Sequence, residues 1–455
     1  MDRPLFPRPS APVAILLLVL LSSPGMAQED GGLFSPSRLG TLSGTLIHPS
    51  RFAPARVCAG CHPELFRDWD GSMHSRAHQD PLYLAISRQA SLETGGLTDR
   101  FCAGCHSPVA VAGGEVPPVG NPAMSRTGAE SVGCDFCHTI DRSLGTGNLP
   151  AVLDPGRRKR GPRREASSPF HETTFLELST QAEFCGLCHD VSHPVSGLPI
   201  EQTYTEWKNS PYNSPDPRER VYCQDCHLRQ RPGIPATGMT RRPDRRNRAA
   251  TMGPLRDHVY SHYFVGANRD MARHLGNTLQ EELAVERIQA AATLEVTDAG
   301  FRDGHLGWRV RVTNSGAGHY LPTGLTELRE MWIETWVTDG SGATVFSAGR
   351  LDREGKITGA TAVFHTVLAD AAGKPTAKVW EAASILSDRR IPPKETDGES
   401  FTASLSGKVR GPLTIRARLL YRSWSPLVAA SFLGRDAPAS DPVEMAVAET
   451  TLHTP

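Results

Sequence analysis

Apolar and polar positions divide the chain into stretches of different periodicity. Near the start, Ala14–Ser22 is a short unbroken apolar run, preceded by Arg3 and Arg8 and followed by small residues at Gly25 and Ala27. A positive start, a short apolar core and a small-residue cleavage site read as an export signal over residues 1–27, too short to span a bilayer. A retained anchor is the second reading. No later run is long enough to cross a membrane, so no transmembrane segment is expected after signal cleavage. Residues 28–55 are rich in Ser, Gly and Pro and read as a linker. From 56 to 275 neither a helical nor a strand period is sustained. Short amphipathic pieces, such as Leu65, Phe66 and Trp69 behind Pro63, alternate with Gly- and Pro-rich segments at 113–122 and 145–169.

The pattern then changes twice. Over Leu279–Ala292, the residues Leu279, Leu283, Val285, Ile288 and Ala291 form one apolar side of an amphipathic helix, read as a connector within 276–295. Beyond it, apolar and polar residues alternate at Trp308–Val312, Met331–Val337 and Leu413–Leu419, with turn signals such as Asp339–Gly342 between them. Residues 296–455 therefore read as an antiparallel β-sandwich. The expected fold class is α+β multidomain: a mostly α or irregular domain over 56–275, then the sandwich.

A stretch with so little periodicity needs another source of core, and the cysteines supply one. All ten fall in five pentapeptides: Cys58–His62, Cys102–His106, Cys134–His138, Cys185–His189 and Cys223–His227. C-x-x-C-H is the attachment signature of c-type haem. The two thiols of each motif (Cys58 and Cys61, Cys102 and Cys105, Cys134 and Cys137, Cys185 and Cys188, Cys223 and Cys226) bond one macrocycle, and the following His ligates iron. The expected cofactors are five covalently attached haems c, with iron ligands His62, His106, His138, His189 and His227. No cysteine is left for a disulfide. Thioredoxin-like or zinc-knuckle readings do not call for a His after each of five pairs. The haems would serve as the core, and the haem-free chain is expected to be largely unfolded. The motifs are unevenly spaced, so the domain is not a tandem array.

Of 17 histidines, five belong to the motifs, which leaves twelve for the opposite sides of the haems. The best placed are His74, His171, His258, His262 and His319; His78 lies four residues beyond His74, and His193 is open. Bis-His coordination throughout is feasible, and it suits electron transfer because no site stays open for substrate. A weak repeat links Phe66-x-Asp68-Trp69-x-x-Ser72 with Tyr204-x-Glu206-Trp207-x-x-Ser210. It reads as a reused helix that supplies an axial ligand, His74, only in its first copy.

Lys+Arg and Asp+Glu balance at 49 each, but ionised propionates would make the holoprotein acidic by roughly five to ten charges. Two arginine-rich runs, Arg157–Arg164 and Arg241–Arg248, read as solvated loops, as a patch for an acidic partner, or as compensation for propionates.

The segments VCAGCHPELFRDWDGSMHSRAHQDP, SVGCDFCHTI, FHETTFLELSTQAEFCGLCHD, YTEWKNSPY with CQDCH, and SHYFVGAN make residues 57–266 resemble the multihaem cytochromes c typified by the tetrahaem carrier of ammonia-oxidising bacteria. The resemblance implies distal ligation by His74, His171 and His262. NSGAGHYLPTG and LSDRRIPPKET resemble longer multihaem cytochromes with an added β-domain, from which His319 would reach back to a haem. The chain departs from the tetrahaem carrier in its fifth motif, its C-terminal domain and Leu228, where relatives would carry Met. Three functions compete. The first is a periplasmic or cell-surface electron carrier whose partners are redox proteins (other cytochromes or an oxidoreductase) and not nucleic acid. The second is a multihaem oxidoreductase acting on a small nitrogen or sulfur compound at one open haem. The third is a sensor whose β-domain binds a ligand. No motif His is replaced by Lys, which argues against the pentahaem nitrite-reductase pattern.

Overall fold

The computed structural model describes residues 33–116, 124–228, 246–405, 410–434, 437 and 440–453. The export signal, part of the 113–122 segment and Arg241, Arg242 and Arg245 of the second arginine run lie outside the described residues. None of the described helices is long and apolar enough to cross a membrane.

The described N-terminal half is built mostly of short helices, with one small three-stranded sheet (Gly40–Thr41, Ala151–Leu153, Ile140–Ser143) and three two-stranded ladders among irregular chain. The helices have local causes. Pro63 opens the helix Pro63–Asp70, where its missing N–H costs nothing. Asp80 caps Pro81–Thr94 by accepting from the amides of Leu82 and Tyr83, and Gly95 ends it at a φ of 62° that L side chains rarely adopt. A small polypeptide core does form, around Phe52, Val109, Phe136, Ile140, Leu149, Leu153 and Leu187. The described part of the 28–55 stretch is packed into it. Phe34 and Leu39 are buried, and Gly40–Thr41 pair in parallel with Val152–Leu153. Composition had pointed to a linker; three aromatic and aliphatic side chains among the Ser and Pro residues suffice to seat it.

Within 276–295 the chain forms one helix, Thr278–Gln289, capped by Asn277 and preceded by the short helix Arg269–His274. Its Leu283, Ala284 and Ile288 are buried. Behind it two antiparallel sheets face each other. One orders the strands Thr293–Arg302, His305–Thr313 and Thr396–Ser404; the other orders Thr344–Ala348, Glu330–Thr338, Leu413–Arg422 and Val443–Leu452. Leu306, Trp308, Val310 and Val312 alternate inward from the first sheet and meet Met331, Ile333, Val337, Ile415 and Leu419 of the second. The fold is α+β, with a β-sandwich as its C-terminal part.

Candidate functional site

Every motif cysteine lies at or beside a short helical turn, where a spacing of three puts both thiols on one side. The motif histidines are oriented by one repeated device. Nδ1 of His62, His106, His138 and His227 lies 2.7, 2.8, 2.7 and 2.6 Å from the carbonyl oxygens of Ala249, Ala77, Arg160 and Val265. An N–H donated there leaves Nε2 with its lone pair outward, the arrangement a metal-bound imidazole uses. His189 differs: its Nδ1 faces the Glu201 carboxylate at 3.3 Å.

Four of these rings stand opposite a second histidine. The pairs are His62 and His171 (6.4 Å between ring centres), His189 and His74 (6.3 Å), His138 and His262 (6.5 Å), and His227 and His319 (6.4 Å). Nδ1 of His171, His262 and His319 also faces a carbonyl oxygen, of Glu172, Tyr260 and Tyr320. Such a separation is too long for ring contact. It matches two metal–imidazole bonds of about 2 Å placed end to end, plus about 1 Å from each donor nitrogen to its ring centre. Among the described residues no three His, Cys, Asp or Glu side chains gather as for a bare ion. Pairs, not clusters, are what an iron already held by a porphyrin requires.

One continuous cavity of about 2010 Å³ is lined by all ten cysteines, by the five motif histidines and by His74, His171, His258, His262 and His319. The motifs adjoin through their sulfurs. The Cys58 side chain lies beside that of Cys134, Cys105 beside Cys188, and Cys185 beside Cys223. The first motif is thereby next to the third, and the fourth next to both the second and the fifth. Burial pushes His74 down to about 3 and His106 down to about 4, and it also lowers His138, His227 and His319. Buried imidazoles are thus kept neutral, the form that ligates metal. His189 goes the other way, to about 9: burial opposes its charge, and the Glu201 carboxylate outweighs burial. The residues fit haem c at every motif.

His106 is the exception on the opposite side. Among the described residues no histidine ring faces it at the spacing of the four pairs; Tyr83 stacks flat on it, 3.8 Å between centres and 8° between planes. The half-buried Tyr83, whose hydroxyl is held well above the usual phenol range by desolvation, gave no signal in the sequence. His78 lies beside Tyr83 at 5.9 Å, with its Nδ1 buried and unpartnered. His258 packs edge-on against Tyr260 at 4.7 Å and stands outside the four pairs. His193 Nε2 is 3.1 Å from the Trp380 carbonyl oxygen.

The sequence repeat acquires a specific role. The Trp69 indole donates to the Val132 carbonyl at 2.8 Å, two residues before Cys134, and the Trp207 indole to the Val221 carbonyl at 2.8 Å, two residues before Cys223. The acid beside each tryptophan holds the backbone of the histidine that faces that same motif. Asp68 accepts from the backbone N–H of His262, and Glu206 from that of Tyr320, next to His319. Each short helix therefore clamps both members of one facing pair, His138 with His262 and His227 with His319. His74 belongs to the separate turn Met73–Arg76 and faces His189 of the fourth motif.

Residues 57–139, which hold the first three motifs, match the family model described as cytochrome c554 and c-prime. The fold is similar to that of a penta-haem cytochrome c552 from Thermochromatium tepidum, with a TM-score of 0.60 and 19% identity over 89% of this chain and 100% of that one. A CARDB domain from Pyrococcus furiosus (TM-score 0.17, 12% identity, 36% of this chain and 85% of that one) is too distant to carry an argument. No curated protein sequence matches the chain. Over its first three motifs the chain is thus similar to the cytochrome c554 and c-prime family, and over nearly its whole length it shares the fold of a penta-haem cytochrome c552.

Proposed function

We propose that the protein is an exported electron carrier with five haems c, four of them bis-His coordinated. The pairs are His62/His171, His189/His74, His138/His262 and His227/His319. The observation that carries this reading is the four ring pairs at 6.3–6.5 Å inside one cavity. Closed coordination leaves these four irons no position for substrate and suits them to passing electrons. The adjoining sulfurs of the motifs support closely packed haems. Export is supported by the N-terminal sequence, since c-type attachment and a short cleavable apolar run go together.

A second reading, a redox reaction on a small nitrogen or sulfur compound, is favoured by His106 alone. This is the one motif histidine without a facing imidazole among the described residues. A pyridine haemochrome assay against protein concentration tests the count, with five haems per chain expected. Carbon monoxide added to the reduced protein then tests the division of roles: at most one haem should bind it. Binding at two or more haems would overturn the bis-His assignment.

A further inference from the structure

We propose that the first haem position, between His62 and His171, is where electrons cross the protein surface, and that its rim docks an acidic redox protein. This rests on the electron-carrier reading and names the partner's chemistry. Sixteen large hydrophobic side chains are exposed among the described residues. Those that also line the haem cavity are Val57, Phe170, Met252 and Leu255, exposed by 68, 60, 79 and 52%. All four surround the first motif. Val57 precedes Cys58, Phe170 precedes His171, and Met252 and Leu255 follow Ala249 and Thr251, whose backbones bond His62 and the Cys61 carbonyl. The walls at the other positions, such as Phe136, Leu187 and Tyr204, are buried. Among the described residues, only the first position presents such strongly exposed apolar side chains at its edge, and contiguous exposed apolar surface of this kind marks a contact site.

The charge around that edge has one sign in excess. Glu172, Glu165 and Asp257 are each taken up by an arginine: Arg158 at 3.4 Å, Arg256 at 2.5 Å and Arg246 at 3.7 Å. Arg157, Arg164 and Arg248 remain on the same face. They are held by the Phe170 carbonyl at 3.4 Å, by the Phe175 ring at 3.8 Å and by the Gly253 carbonyl. An apolar rim ringed by guanidinium groups complements a partner with carboxylates around its own cofactor, and opposite charges speed encounter. The arginine-rich run at 157–164 thereby acquires a task. Adjacency of Cys58 to Cys134 gives the way inward, from the first position to the third.

The test is stopped-flow reduction of the full-length holoprotein by a reduced, strongly acidic [2Fe–2S] ferredoxin, at low and at high ionic strength. The wild-type second-order rate should fall with salt. In the Arg157→Glu/Arg248→Glu variant it should fall at least tenfold at low salt, and in the Arg157→Gln/Arg248→Gln variant by an intermediate factor. Reduction by dithionite and the low-spin spectrum should be unchanged in both variants, which separates docking from folding. Equal ferredoxin rates in all three proteins, or rates indifferent to salt, would overturn the docking site and leave the carrier reading standing. Failure of the wild type to take electrons even from dithionite would instead overturn the carrier reading.

Discussion

Replacing Glu206 by Ala removes the acid of the second clamp. Its carboxylate, itself buried, accepts from the Tyr320 N–H at 3.1 Å and the Thr323 hydroxyl at 2.7 Å, and it pairs with the half-buried Arg390 guanidinium. Removing one partner of a buried ion pair costs about 3–5 kcal/mol. Arg390 keeps Asp388 at 2.7 Å, so the loss belongs at the lower end, about 3 kcal/mol. The damage has a defined address. The β-domain loop carrying His319 is tied to the haem-binding half through Glu206, while His227 stays fixed by the Val265 carbonyl. Denaturant unfolding of the holoprotein should show the stability loss, and optical and electron paramagnetic resonance spectra should show one haem turning high-spin. A loss below about 1 kcal/mol with no new high-spin signal would refute the clamp. Loss of low-spin character at the His138 position would equally contradict it, since Asp68, not Glu206, holds His262.

Three further outcomes follow from particular groups. Glu201→Gln removes the carboxylate behind His189 and should raise the potential of the fourth haem alone, by about 59 mV for each tenfold loss of ferric over ferrous preference; redox titration followed spectroscopically reads it. Glu327 is buried with one oxygen unpartnered, and burial pushes its carboxyl up to about 7. A raised carboxyl costs the folded state more as pH climbs from the unfolded value through about 7. Glu327→Gln should therefore match wild type near pH 4 and gain up to roughly 3 kcal/mol at pH 8 in denaturant unfolding. Protein made without haem attachment should lose the helical far-ultraviolet circular dichroism of the N-terminal half while the β-sandwich keeps a cooperative transition of its own, because the wide cavity between the short helices then has no filling and the sandwich core needs none.

The motifs were legible because haem attachment is written in contiguous residues. The strands at His305–Thr313, Glu330–Thr338 and Leu413–Arg422 were legible because alternation survives without knowledge of the partner strand. Which histidine meets which was not. His171, His262 and His319 pair with His62, His138 and His227 across long stretches of irregular chain, and no local period encodes that meeting. The repeat was visible as aromatic, acid and tryptophan, but it looked like a carrier of ligands. Its work is to hold the backbones on both sides of a facing histidine pair, through hydrogen bonds that only the folded chain defines. Tyr83 on His106 and Glu201 behind His189 were invisible for the same reason: a lone Tyr or Glu has no signature until its neighbour is known.

The central claim is that four irons are closed by imidazole on both sides and that the one at His106 is not closed in that way. Spin quantitation by electron paramagnetic resonance of the fully oxidised holoprotein measures this directly. The account predicts four low-spin bis-imidazole centres per chain and a fifth of different character. Fewer than four low-spin centres, or five identical ones, would contradict it.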